Sequence, residues 1–168
     1  MHKFTVHAFL AITFLAGPVF AGDPANTAAP AQLRSAALPN DPEAAYELAD
    51  KALKAADYAK AVDLFLANIN KFPKHPRMQD VQWGLAEAYR GKGDTEQTLV
   101  EYSRFYQDFG DTPRAAEALF KVGGCYEALG DKMTAMLSYK VVTKKFPTSA
   151  FAEQAKTRLR ELQSKQAK

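Results

Sequence analysis

The chain has 168 residues, 47% hydrophobic and 24% charged, which is the composition of one compact domain and excludes a disordered chain. Its 22 Lys and Arg against 19 Asp and Glu leave a net charge of +3, and no more than two basic residues stand together, so the basic face of a nucleic-acid binder is excluded. One Cys and 3 His exclude an intramolecular disulfide, a CxxC pair and a cysteine-rich zinc site.

The first segment reads as an address. Lys3 and the terminal amine precede a charge-free apolar run from Ala8 to Phe20 that closes on Val19-Phe20-Ala21. A positive start, an apolar core and small residues near the end describe a secretory signal peptide over residues 1–21, cleaved after Ala21. Gly17-Pro18 interrupts the run, which falls short of the about twenty apolar residues a membrane span prefers. No cysteine stands just after it, the only one being Cys125, so a lipid anchor is not expected, and no integral span is expected after cleavage. Residues 22–40, punctuated by Pro24, Pro30 and Pro39, read as a flexible Pro/Ala-rich linker.

From Asp41 the apolar residues recur at helical spacing, and breaks fall at Ala56-Asp57, Gly93-Asp94 and Gly130-Asp131, 37 residues apart each time. Aligned at that period, Leu48 meets Leu85 and Val122, Ala49 meets Ala86 and Gly123, Ala61 meets Thr98 and Ala135, and Phe65 meets Tyr102 and Tyr139. Phe72, Phe109 and Phe146 close the units, followed by Pro73, Gly110 and Pro147. Self-similarity at this length is the mark of a solenoid, because one helix pair cannot bury its own apolar stripe whereas stacked pairs form a continuous core. Asp41-Pro42-Glu43 starts the first helix, Pro76 and Pro113 suit the first turns of later ones, and Asp94 with Gln97 reads as a capping box. Ser149 to Leu162 supplies a terminal cap. The expected fold is all-α: a right-handed α-solenoid of three helix pairs plus a C-terminal capping helix over residues 41–164, with 165–168 a disordered tail.

At these residues the pattern resembles the tetratricopeptide repeat. The third unit carries Val122, Gly123, Tyr126, Gly130, Ala135, Tyr139 and Pro147, and the middle one Leu85, Ala86, Tyr89, Gly93, Thr98 and Tyr102. The first departs most, with Ala52 for Tyr and Ala56 for Gly. The run Ala116 to Gly123, Gly130-Asp131, Lys145-Phe146-Pro147-Thr148-Ser149 and Ala155 to Leu159 resembles the C-terminal repeat domain of the Tol-Pal-associated periplasmic cell-division coordinators, over roughly residues 43–162. Outer-membrane assembly lipoproteins use similar repeats with the same Phe-Pro punctuation. The resemblance implies a periplasmic adaptor that couples envelope constriction to wall synthesis; the alternative is a scaffold subunit of an outer-membrane assembly or export complex. Such coordinators carry an N-terminal coiled coil that oligomerises, and residues 22–42 are too short and proline-rich for heptads, which leaves the oligomeric state open.

Catalysis has little material. Beyond the address the sole histidine is His75, in a turn between prolines, where a solvated ring is expected. Cys125 reads as a small packing residue, and the neighbouring Glu127 opposes a thiolate. Asp50 and Glu87 occupy equivalent positions of an exposed face rather than an acid/base pair, and Gly91-Lys92-Gly93-Asp94 lacks the spacing of a phosphate loop. No enzyme activity, cofactor or metal is expected.

A binding face is better marked. Residues four apart share a helix face, so Tyr46 and Asp50, Trp83 and Glu87, and Phe120 and Gly124 form three equivalent pairs on the first helices. If these helices line the concave side, as the resemblance implies, the pairs make an aromatic row beside an acidic row. Glu43, Asp80 and Glu117 add charge nearby. The bland alternative packs Trp83 and Phe120 into the repeat junctions. Gly124, costly within a helix, leaves room for a partner. Tyr46, Asp50, Trp83, Glu87 and Phe120 are therefore the candidate peptide-binding residues, with envelope proteins or their peptide segments, carrying Lys or Arg beside apolar anchors, as partners.

Overall fold

The computed structural model describes residues 38–166; the expected signal peptide and residues 22–37 of the expected linker lie outside them. Seven helices follow in order: α1 (Pro42–Lys54), α2 (Tyr58–Lys71), α3 (Met78–Lys92), α4 (Thr95–Asp108), α5 (Ala115–Ala128), α6 (Lys132–Lys145) and α7 (Ala150–Gln166). Each packs against the next, α1 also against α3 and α5 against α7, whereas α2, α4 and α6 do not meet one another. The odd-numbered helices therefore line the inner side of an α-solenoid of three pairs closed by α7. The last helix runs two residues into the segment expected to be a tail.

The 37-residue period reaches individual hydrogen bonds. Asp57, Asp94 and Asp131 each cap a second helix, their carboxylates accepting from the backbone N–H of Lys60 (3.4 Å), Gln97 (3.1 Å) and Thr134 (3.0 Å). At the unit ends the N–H groups of His75, Thr112 and Ser149 donate to the carbonyls of Phe72, Phe109 and Phe146 at 2.9, 3.1 and 3.0 Å. Pro76 lies in the turn leading into α3 rather than within its first helical turn, because the helix starts at Met78.

Two core clusters hold the stack. One gathers Ala49, Ala61, Phe65, Val81 and Leu85, and the other Tyr102, Phe105, Val122, Tyr139 and Leu162. Small residues set the helix spacing: a Cβ at Gly84 would stand 2.3 Å from the Phe65 ring, and one at Gly123 would stand 2.6 Å from Tyr139. Phe65, Tyr102 and Tyr139 are fully buried, so truncating any of them should cost about 3–5 kcal/mol.

Two local expectations change. His75 is only 5% exposed. Its Nε2–H donates to the Pro42 carbonyl (2.7 Å) and its Nδ1 accepts from the Arg77 N–H (2.9 Å), so the neutral ring ties the start of α1 to the α2–α3 turn. The end of the expected flexible linker is also held, because the Lys71 ammonium donates to the carbonyls of Leu38 (3.2 Å) and Pro39 (3.1 Å) and to the Asn40 side chain (2.9 Å).

Candidate functional site

The aromatic row lies at the unit junctions, each ring covered by a residue 31 positions later. The Arg77 guanidinium sits 3.9 Å from the Tyr46 ring centroid, Arg114 sits 5.2 Å from Trp83, and the Phe151 ring is 5.6 Å from Phe120. Arg77 and Arg114 stand in the turns before α3 and α5, where their forks also reach carboxylates. Arg77 pairs with Glu43 (2.6 Å) and Asp80 (2.9 Å), and Arg114 with Asp80 (2.9 Å). Phe151 breaks this ladder at the third rung, and Glu117 turns instead to Lys121 at 3.5 Å.

The acidic row is neutralised in place. Asp50 meets Lys54 at 2.5 Å. Glu87 accepts from the Tyr102 hydroxyl and from Arg90 at 2.7 Å, and Lys121 reaches it at 3.2 Å from α5. Burial pushes the Glu87 carboxyl up, but Tyr102, Arg90 and Lys121 together hold it below its ordinary value. Burial, then the bond to Glu87, drives the Tyr102 phenol far above its ordinary range. In the third unit, with Gly124 in place of the acid, Glu127 takes over and accepts from Tyr139 (2.6 Å) and Arg158. Each of these carboxylates thus already has a basic neighbour within the chain.

What remains open is the cleft between α3 and α5. The backbones of α1 and α3 touch, as do those of α5 and α7, but α3 and α5 stand apart and only side chains such as Lys121 and Arg114 cross the gap. A cavity of about 320 Å³ results, lined by Arg90, Thr98, Tyr102, Phe120, Gly124 and Cys125. A Cβ added at Gly124 would meet only the Tyr139 hydroxyl, at 3.8 Å. Beyond Phe120 a second hollow of about 380 Å³ opens against Glu153, Gln154, Thr157 and Arg158 of α7. Phe120 is thus a wall shared by two adjoining recesses. Burial raises the Cys125 thiol above its ordinary pKa, opposite to the shift that activates a nucleophile.

The structure therefore groups Trp83, Glu87 and Phe120 around Lys121, whose ammonium lies 5.7 Å from the Trp83 ring and 5.5 Å from Tyr102. Tyr46 and Asp50 belong to the neighbouring α1–α3 junction. Sequence reasoning missed Arg77, Arg114, Lys121 and Phe151. The signal for the first two was present, since they are themselves 37 residues apart.

Stacked helix pairs enclosing an inner cleft define a tetratricopeptide-like repeat protein, a class whose surfaces take up other proteins. The chain belongs to the outer membrane lipoprotein family YfiO, which matches residues 39–168. Among curated proteins, none matches the chain. The family is one of the cell envelope and agrees with the alternative drawn from sequence, the outer-membrane scaffold, better than with the Tol-Pal resemblance. The chain's one cysteine, Cys125, is buried within α5. Among the described residues no helix is long and apolar enough to cross a membrane.

Proposed function

We propose that the protein is a non-enzymatic periplasmic scaffold, a subunit of an outer-membrane assembly or export complex, that takes up a segment of a partner in the α3–α5 cleft. The observation that carries this reading is the cleft itself. It is floored by Tyr102, walled by Phe120 and left open over Gly124, in a chain whose family is one of outer membrane lipoproteins. The cleft fits an apolar anchor of an extended or helical segment, with Lys121, which also reaches Trp83 and Glu87, in its lining. A photo-crosslinking residue at position 124 tests it, because Gly124 is exposed and a Cβ there clears its neighbours. Crosslinking in growing cells to an outer-membrane assembly component is the expected result. Crosslinking to Tol-Pal components would instead favour the division-coordinator reading, and no crosslink at 124 would move the partner site away from the cleft.

A further inference from the structure

The outer side of the solenoid carries a second surface, on α6. All five exposed large apolar side chains among the described residues lie between Val100 and Val141. Three of them, Met133 (62% exposed), Leu137 (58%) and Val141 (37%), form an i, i+4, i+8 stripe on α6, and Leu129 (45%) stands in the turn that leads into it. The repeat shows that this stripe is not a requirement of the fold. At the same positions α2 carries Ala59, Asp63 and Ala67, and α4 carries Glu96, Val100 and Arg104. Only the third unit turns an aliphatic row outward, in a helix that already buries Ala135, Tyr139 and Val142 on its other side.

Charge on the same helix indicates what covers it. α6 contains Lys132, Lys140, Lys144 and Lys145 and no acidic residue. Helical spacing places Lys140 and Lys144 along one edge of the stripe, and neither meets a carboxylate among the described residues, whereas Arg77, Arg90, Arg104, Arg114, Lys121 and Arg158 all do. Asp131 caps the opposite, N-terminal end. The charges are therefore sorted along a stripe about 12 Å long, at 1.5 Å per residue. We propose that this face docks an amphipathic helix of a partner protein, its apolar anchors on Met133, Leu137 and Val141 and an acidic edge beside Lys140 and Lys144. An anionic lipid surface would meet Asp131 and Glu96 as well as the lysines, while one helix can align with the lysine half alone.

The test uses the whole chain and two synthetic helical peptides with the same leucine stripe, one edged with Glu and one with Lys, alongside vesicles containing an anionic phospholipid. The chain should bind the Glu-edged peptide at least tenfold more tightly than the Lys-edged one. Leu137→Glu should weaken that binding at least tenfold, and Lys140→Glu with Lys144→Glu should invert the preference, with helicity by circular dichroism unchanged. Equal affinity for both peptides, binding to neither, or binding indifferent to Leu137→Glu overturns the proposal. Co-sedimentation with vesicles lost in Leu137→Glu would assign the face to lipid, and concentration-dependent dimers lost in that variant would assign it to a second copy. Either outcome also overturns it. Failure here leaves the crosslink at position 124 unaffected, since the two surfaces are on opposite sides of the stack.

Discussion

Ala56 stands where Gly93 and Gly130 close the other units, and it adopts the same left-handed backbone, with φ of 58° against 80° and 84°. An L side chain in that region costs about 1–2 kcal/mol, and glycine gives back about 0.4–1 kcal/mol through the freer unfolded chain. Ala56→Gly should therefore stabilise the domain by about 0.5 kcal/mol, and Gly93→Ala should destabilise it, both read from urea midpoints at unchanged slope. Asn68 offers a second residue-scale test. Its amide is fully buried without a partner among the described residues, at the position that Phe105 and Val142 fill in the other units. An unsatisfied buried amide costs about 1–3 kcal/mol, so Asn68→Leu should raise the melting temperature; a lower one would mean that the site rejects the new side chain's shape.

At the scale of elements, two carboxylates on the α3–α4 pair titrate in opposite senses. Glu87 is held below its ordinary value of 4.5, so it stabilises the fold above that pH and the benefit is lost as pH falls through its folded-state value. Burial, then the neighbouring Asp108, raise Glu101 despite Arg104 at 3.4 Å, so Glu101 opposes folding once it must ionise as pH rises. At pH 7, Glu87→Gln should be less stable than the parent and Glu101→Gln more stable. Both differences should shrink in melts taken below about pH 4.5. The repeat was legible in the sequence because apolar periodicity and the Asp-capped breaks report local backbone geometry. The bridges between elements were not. Arg77 and Arg114 drew no reading from the sequence, and His75 read as a solvated turn residue, because their partners lie in other units. The width of the α3–α5 cleft depends on how far apart two helices settle, which no spacing along the chain encodes.

For the whole molecule, a solenoid is stable as a chain of nearest-neighbour interfaces, so its last unit depends on what closes it. That closure is α7. Phe151 covers Phe120, Ala152, Ala155 and Leu162 are buried, and Arg158 latches onto Glu127, which in turn holds Tyr139. Deleting residues 149–168 removes all of these together and leaves Phe120 and Tyr139 facing water. Arg158→Ala removes only the partly exposed ion pairs to Glu127 and Glu161 and should cost about 1 kcal/mol. The truncated chain should therefore aggregate on size-exclusion chromatography and lose its cooperative melt, while Arg158→Ala stays monomeric and melts a few degrees lower. A truncated chain that runs as a monomer, with the helicity of six helices and a single sharp transition, would mean that the three pairs close their own core. Phe120 would then belong to the ligand surface alone and not also to the cap.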